Sequence, residues 1–315
     1  MRVRTLLYDE IEKFTGAIAL LFTVGAIAVL LALPAKSASL VFEGLSLWAA
    51  CVLPSTLPFL FFCALFTRLK AYPKIVGKLS PVAGKVFRIS GAGACCGLIS
   101  ALSGYPVGAK TLSSLALRGE VPKEELFRTS ALATTSGPAF LVGAVGAGAF
   151  QSVKAGWLLL VSHLAAVWLV CFLLRFTAKK SVSASRISAP QTQNALSESL
   201  AETVAAATLA GASIAIFYAF ARLLAGTVSD GFLSAILSGI VEMTSGCKAL
   251  SSVKTPLALA LSAFFVTFGG VCVLVQQLAF LTPAGVKPLP FICLKALQGI
   301  TAAALCFALA CAFGV

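Results

Sequence analysis

Long stretches without Asp, Glu, Lys or Arg limit most strongly what this chain can fold into. A helix needs roughly 20 apolar residues to cross the hydrocarbon core of a bilayer. Seven stretches meet that requirement: Gly16–Leu33, Gly44–Thr67, Thr129–Val153, Ala155–Leu174, Thr203–Ala221, Thr255–Val286 and Ala296–Val315. We therefore predict about seven transmembrane helices, with the lipid bilayer as the main partner of the chain.

The composition supports this interpretation. Apolar residues make up 59% of the 315 residues and charged residues only 11%, whereas soluble domains carry about 25% charged residues. An ordinary soluble protein and a disordered chain are both excluded. The predicted fold class is an all-α polytopic membrane protein.

Two further apolar stretches are interrupted and look like re-entrant helical hairpins, which enter and leave the membrane on the same side. The first spans residues 89–118 and is broken at Gly104-Tyr105-Pro106. The second spans residues 231–254 and is broken at Glu242. Neither hairpin has an arm long enough to cross the membrane alone.

The placement of Lys and Arg supports the hairpins, because cytoplasmic loops collect these residues. With both hairpins re-entrant and the N-terminus cytoplasmic, most of the 24 Lys and Arg residues lie on the cytoplasmic side. The cytoplasmic loops then explain the net charge of +13. Apart from this charge, no feature of the sequence predicts nucleic-acid binding. The acidic flank and length of Gly16–Leu33 favour a retained first helix over a cleaved signal peptide.

An internal repeat is the most informative pattern in the sequence. Leu98–Leu115 and Ile236–Val253 share six of 18 aligned residues, including the pattern Gly-x-Lys-x-Leu-Ser-Ser. We predict an N-terminal segment with an extra helix (1–39), a first repeat unit (40–178), a polar linker (179–197) and a second repeat unit (198–315). Each unit has three predicted crossings, so the second is inverted relative to the first, as in many secondary transporters.

Helix breaks at matched positions of the two units predict one central binding site. In chain order the four breaks are Ser103–Pro106, Thr134–Pro138, Glu242–Gly246 and Phe268–Gly270. Interrupted membrane helices are tolerated where their backbone is buried or lines a cavity; kinks that serve only helix packing are the alternative. The predicted substrate-binding residues are Ser103, Gly104, Tyr105, Pro106, Gly108, Lys110, Thr135, Ser136, Gly137, Pro138, Glu242, Thr244, Ser245, Gly246, Lys248, Gly269, Gly270 and Gln276.

Lys110 and Lys248 are the charged candidates within that site. Each follows a hairpin break near the start of a helix, where free N–H groups and the helix dipole favour an anion. Together they predict a small anionic substrate with two negative groups. Alternatively, both lysines extend to the interface and only anchor the hairpins.

Glu242 is the acidic residue expected near the site, where it binds a coupling proton or cation, or neutralises Lys248. The only histidine, His163, has no nearby metal-ligand or catalytic pattern and is expected to bond a neighbouring helix. Lys295, near the predicted start of the last helix, is expected to extend to the interface. The ten cysteines form no C-x-x-C pair. We therefore predict no catalytic residues, no metal site and no cofactor.

The segments Ser103–Lys110, Thr135–Phe140, Val142–Gly146, Gly239–Glu242 and Phe268–Gly270 resemble a known family. They are similar to the sporulation integral membrane proteins of endospore-forming bacteria, which carry the nucleoside recognition (Gate) domain. The resemblance covers about Leu40 to Ala310. It implies a multi-pass protein of the cell membrane or the outer forespore membrane.

Within that family, a stage V sporulation member is implicated in moving dipicolinic acid, a flat aromatic dianion. The resemblance therefore implies transport of dipicolinate by alternating access between inverted repeats. Two alternatives remain open at this point: a nucleoside or metal-ion transporter of the same superfamily, and a non-transporting scaffold for sporulation. The coupling ion and a homo-oligomeric state are left open as well.

Overall fold

The computed structural model describes residues 20–21, 23–178 and 194–315 and contains helices but no strands within them. The α-helices are α1 (Thr23–Ala32), α2 (Pro34–Leu47), α3 (Leu53–Phe66), α4 (Tyr72–Val86), α5 (Gly91–Ser103), α6 (Val107–Leu117), α7 (Leu126–Leu132), α8 (Val153–Leu174), α9 (Ala195–Ala225), α10 (Gly231–Val241), α11 (Met243–Leu250), α12 (Pro256–Phe268), α13 (Gly270–Leu281) and α14 (Pro288–Phe313). Two π-helical segments, Trp48–Val52 and Ala139–Ala149, separate some of them.

The chain is an all-α polytopic membrane protein, as predicted. Within the described residues, four helical segments are long and apolar enough to cross a membrane: Val153–Thr177, Ala195–Ala225, Pro256–Leu281 and Pro288–Phe313. The number rises to six if two bent helix pairs, α1 with α2 and α4 with α5, each count as one crossing. The predicted number of about seven is therefore higher than the structure gives.

A π-helical turn and a helix break account for this difference. The predicted crossing Gly44–Thr67 is helical up to Phe66, but it passes from α2 through the π-helical turn Trp48–Val52 into α3, so neither α-helix is long enough by itself. The predicted crossing Thr129–Val153 consists mainly of the end of the short helix α7, the non-helical residues 133–137 and the π-helix Ala139–Ala149. The break within Thr129–Val153 was predicted at Thr134–Pro138, whereas the π-helical turn within Gly44–Thr67 was not.

Parts of two predicted segments fall outside the described residues. The first helix, predicted as Gly16–Leu33, is described only from residue 20, without residue 22. Most of the predicted linker, residues 179–193, is also outside the description.

Both predicted hairpins consist of two short helices that pack against each other. The arms of the first, α5 and α6, have 13 and 11 residues. The arms of the second, α10 and α11, have 11 and 8 residues. At 1.5 Å per residue the longest arm extends about 20 Å, which is too short to cross the membrane alone.

The glycine of the repeated Gly-x-Lys pattern allows each pair of arms to pack closely. A Cβ atom at Gly108 of α6 would lie 2.3 Å from the Ser100 Cβ atom of α5. A Cβ atom at Gly246 of α11 would lie 2.2 Å from the Gly239 Cα atom of α10. Part of the sequence repeat is therefore explained by helix packing within each hairpin.

Two apolar cores surround the hairpins. The first joins α4, α5, α6 and α7 through fully buried side chains such as Ile89, Leu112 and Leu115. The second joins α8, α11, α12 and α14 through Leu159, Leu250 and other buried residues. The tips of both hairpins belong to the second core through Tyr105 and Met243, so this core positions the helix breaks described below.

Candidate functional site

A cavity of about 50 Å³ lies where the helix breaks meet. The first break contributes Ser103, Gly104, Tyr105 and Pro106; the second contributes Ser136 and Gly137; the third contributes Glu242, Met243 and Thr244. Gln276 and Val273 line it from α13, which begins at the fourth break. The structure thus brings breaks from both predicted units to one place.

The breaks are packed in pairs. Gly104 has a φ of +82°, and a Cβ atom there would lie 2.6 Å from the Gly137 backbone nitrogen, so the first break packs directly on the second. At the fourth break, a Cβ atom at Gly270 would lie 3.2 Å from the Met243 backbone nitrogen. Each hairpin tip therefore contacts the interrupted segment that follows it in the chain.

Glu242 forms the turn of the second hairpin and caps α11. Its Oε1 accepts a hydrogen bond from the Thr244 N–H (2.9 Å), and its Oε2 accepts from the Ser245 N–H (2.7 Å) and the Ser245 hydroxyl (2.8 Å). The carboxylate compensates the positive N-terminal end of α11. No ion pair joins Glu242 to Lys248 among the described residues, so the proposed neutralisation of Lys248 is not what the structure shows.

Lys295 is fully buried beside the first hairpin tip. Its ammonium group donates to the Thr134 carbonyl (2.7 Å), the Gln298 Oε1 (3.2 Å) and the Tyr105 hydroxyl oxygen (3.3 Å). The Tyr105 hydroxyl in turn lies 3.1 Å from the Val266 carbonyl oxygen. All three acceptors of the ammonium are neutral, and no carboxylate pairs with it among the described residues.

The expected interfacial position of Lys295 is therefore wrong. Helix α14 begins at Pro288, not at Ala296, so Lys295 lies two turns inside the helix. The predicted helix, Ala296–Val315, began only after this lysine, because the limits of the predicted helices were placed at charged residues. Three oxygen acceptors from the surrounding backbone and side chains make the buried position tolerable.

His163 binds two of the broken segments, as expected for a histidine that bonds neighbouring helices. Its Nε2 accepts from the Ser136 N–H (2.9 Å), and its Nδ1 lies 2.9 Å from the Thr267 hydroxyl oxygen. Because Nε2 accepts a hydrogen bond, the ring is neutral and Nδ1 carries the proton. His163 thus holds the second break against the end of α12.

Nine of the predicted site residues line the cavity: Ser103, Gly104, Tyr105, Pro106, Ser136, Gly137, Glu242, Thr244 and Gln276. The other nine do not: Gly108, Lys110, Thr135, Pro138, Ser245, Gly246, Lys248, Gly269 and Gly270. Several of these support the breaks instead. Thr135, for example, bonds the Ser100 hydroxyl oxygen through its N–H (3.0 Å) and its own hydroxyl (2.8 Å).

The two lysines predicted to bind an anion together have different surroundings. Lys110 is half-buried, lies 5.5 Å from the centre of the Phe280 ring and lines a separate small pocket. Lys248 is exposed near the C-terminal end of α11. Neither lysine lines the cavity.

The sequence analysis did not predict most apolar residues of the cavity wall or the buried position of Lys295 behind Tyr105. Val52, Thr56, Ala139, Phe140, Ala210, Ile214, Met243 and Val273 also line the cavity. Val52, Thr56, Ala210, Ile214 and Val273 lie within helical stretches and carry no distinguishing pattern, whereas Ala139, Phe140 and Met243 lie within or directly after predicted breaks. For Lys295 a signal did exist, since an ionisable residue flanked by apolar helix on both sides is a functional candidate.

The charges around the cavity favour an anion. The N-termini of α6 and of the π-helix Ala139–Ala149 have no side-chain cap from the described residues, so the helix dipoles leave partial positive charge there. The N–H groups of Val107, Phe140 and Leu141 already bond the Gly104 and Gly137 carbonyls. The amino group of Lys295 adds a positively charged donor behind Tyr105. The negative charge of Glu242 is already directed at the N-terminus of α11.

The cavity is closed in this conformation. A volume of about 50 Å³ holds a few water molecules, whereas pockets for small organic ligands measure roughly 300–1,000 Å³. Binding of an aromatic ligand therefore requires the surrounding helices to separate. No cluster of three or more His, Cys, Asp or Glu side chains is placed to hold a metal ion in the described part of the chain.

Comparison with known proteins identifies one relative. The sporulation integral membrane protein YlbJ of Bacillus subtilis is 26% identical over 302 aligned residues, which cover 82% of this chain and 74% of the relative. The chain is similar to a sporulation membrane protein. A membrane role in sporulation is therefore supported. No protein-family model matches the chain, and no solved structure matches it significantly, so the resemblance to the Gate domain stays a prediction.

Proposed function

We propose that the protein transports a small organic anion, dipicolinate during endospore formation, by alternating access at the cavity. The observation that carries this proposal is the convergence of helix breaks from both halves of the chain on one cavity at their tips. Secondary transporters use discontinuous helices for their binding sites because helix ends supply charge and free backbone groups. A scaffold has no comparable need for a shared cavity.

The chemistry around the cavity suits a flat aromatic dianion. Tyr105 and Phe140 supply aromatic surface, and Ser103, Ser136 and Thr244 line the cavity and bring hydroxyl groups. The ammonium of Lys295 and the uncapped helix N-termini provide positive potential for carboxylates. In this respect Lys295, rather than the lysines of the repeated pattern, takes the role of the cation.

Uptake into proteoliposomes tests the proposal directly. The purified protein is reconstituted, and uptake of labelled dipicolinate is compared with uptake of uridine and of a divalent metal ion. We expect dipicolinate to enter well above protein-free vesicles and the other two not to. Uptake of uridine or metal instead would favour the other transporter classes, and no uptake of any of the three would favour the scaffold.

Two isosteric variants connect uptake to the cavity. Thr244→Val removes a hydroxyl from the cavity wall, and we expect uptake to fall about tenfold, since a lost hydrogen bond to a charged ligand has an effect of that order. Thr301→Val is the control, because the Thr301 hydroxyl bonds the Leu297 carbonyl of its own helix (2.8 Å) and Thr301 does not line the cavity. Equal uptake by both variants would place the transport site elsewhere.

A further inference from the structure

A second pocket adjoins the cavity on the same helices. It measures about 10 Å³ and is lined by Leu60 and Ala64 of α3, by Thr67 directly after α3, by Lys110 and Thr111 of α6 and by Glu202 of α9, among others. Val107, another lining residue, directly follows Pro106 of the cavity wall. The pocket and the cavity are therefore neighbours along α6.

The spacing of the lining residues shows that pocket and cavity lie on one continuous face. On α3, Thr56 lines the cavity and Leu60 and Ala64 line the pocket, at intervals of one helical turn. On α9, Glu202 lines the pocket while Ala210 lines the cavity, on the same face two turns further along. Helices α3 and α9 thus line both spaces, and α6 begins directly after Pro106 of the cavity wall. The part of α3, α6 and α9 from the cavity to the pocket is called the track.

A buried arginine bonds Glu202, one of the residues that line the pocket. Arg68, only 8% exposed, follows α3. Its Nε donates to Glu198 Oε2 (3.2 Å) and its Nη2 to Glu202 Oε1 (2.8 Å), both on α9. Its Nη1 donates to the Ala64 carbonyl of α3 (2.9 Å). The guanidinium therefore ties α3 to α9, two packed helices that both line the pocket.

We propose that this track is the route by which the cavity opens to the cytoplasmic surface, and that Arg68 with Glu198 and Glu202 is the latch that holds it closed. The inference rests on the proposed function. The basic residues Lys70, Lys74 and Lys78, which follow Arg68 in the chain, assign this end to the cytoplasmic side.

The side chains along the track fit the passage of an anion. Lys110 is the first cation beyond the cavity on this face, and the hydroxyl-bearing residues Thr111 and Ser114 lie on the same side of α6. When the latch opens, Arg68 and Lys110 are both available to a carboxylate. When the latch is closed, Arg68 bonds Glu198 and Glu202 and is not available to a carboxylate.

Thiol labelling tests the latch without any substrate. Thr111→Cys places a thiol on the track, and Ser113→Cys places one elsewhere on α6; the native residues are 7% and 6% exposed, so the two are matched for burial. Each is introduced with and without Arg68→Gln and treated with a membrane-impermeant maleimide. Peptide mass spectrometry separates these sites from the native cysteines.

We expect Arg68→Gln to raise the labelling rate of Thr111→Cys roughly tenfold, because it removes charge-assisted hydrogen bonds that favour the closed state. The labelling rate of Ser113→Cys should not change. Equal increases at both sites would mean general loosening and would overturn the proposal. So would an unchanged rate at both sites.

A milder variant covers the case in which Arg68→Gln does not fold. Glu202→Gln removes one carboxylate and leaves the bond between Arg68 and Glu198, so we expect a smaller increase of about threefold at Thr111→Cys alone. A folded Glu202→Gln protein without that increase also overturns the latch. Because no substrate is used, failure of the latch and failure of dipicolinate transport are distinguished.

Discussion

The two hairpins share a repeated sequence but build their turns by different means. The first arms end at aligned positions, Ser103 in α5 and Val241 in α10. The turn that follows Ser103 contains Gly104 in a positive-φ conformation. At the aligned position in the other hairpin stands Glu242, whose own carboxylate caps the next helix.

The partners of the two turns differ in the same way. The first turn depends on the rest of the protein, since Gly104 packs on Gly137 and Tyr105 contacts Lys295 and the end of α12. The second turn is satisfied mainly from within, because Glu242 bonds Thr244 and Ser245. Similarity in a repeat therefore predicts the path of the backbone better than it predicts the chemistry at the turn.

Among substitutions that test the two turns, Gly104→Ala is expected to have the largest effect on the free energy of unfolding. The substitution forces a side chain into a positive-φ conformation and against the Gly137 backbone, at a cost on the order of 3 kcal/mol in the free energy of unfolding. Thermal melting of the detergent-solubilised protein measures it. Gly77→Ala in α4 is the control: its Cβ would have no neighbour within 4 Å, and alanine is the better helix former. Equal melting temperatures for the two variants would contradict the packed-turn interpretation.

A smaller effect is expected from Lys295→Met, which tests the dependence of the first turn on α14. The variant leaves the Thr134 carbonyl and other acceptors without their donor, and we expect a loss of about 2 kcal/mol in the free energy of unfolding. Dipicolinate uptake should fall as well. Lys248→Met is the matched control; because Lys248 is exposed, it should change stability by less than about 0.5 kcal/mol. If Lys248→Met instead reduced dipicolinate uptake and stability more than Lys295→Met did, Lys248 would be the functional cation.

The smallest effect is expected from Glu242→Gln, which tests the self-contained second turn. The amide keeps one acceptor oxygen but loses the other and the charge, so the free energy of unfolding should fall by about 1 kcal/mol. Asp230→Asn changes the N-cap of α10, where Asp230 accepts a hydrogen bond from the Leu233 N–H (2.7 Å). This variant should lower the free energy of unfolding by only about 0.3 kcal/mol, because asparagine caps equally well. A larger loss at Asp230 than at Glu242 would show that the second turn does not depend on its carboxylate.

Much of the site's position was predictable from the sequence. Gly104, Pro106 and Gly137 interrupt apolar helices, and such breaks must be buried or line a cavity. They were predicted as site residues, and the structure places Gly104, Pro106 and Gly137 in the cavity wall. The apolar wall residues, such as Ala210 and Ile214, were not predictable because nothing distinguishes them from other helix residues.

The lysines show where the prediction was limited. Lys110 and Lys248 were chosen for their place in the repeat, and neither lines the cavity. Lys295 was assigned to the interface, yet it is fully buried. A side chain of four methylenes reaches in several directions, so its position depends on which acceptors the neighbouring helices supply.

The sequence by itself determined that this protein crosses a membrane, that it is helical and where its helices break, because these follow from local composition and from the need to satisfy backbone groups in lipid. Only the tertiary structure decided which breaks meet, that Tyr105 lies between the cavity and Lys295, and that Arg68 joins α3 to α9. Those contacts connect residues far apart in the chain, and their geometry depends on how the helices pack around them.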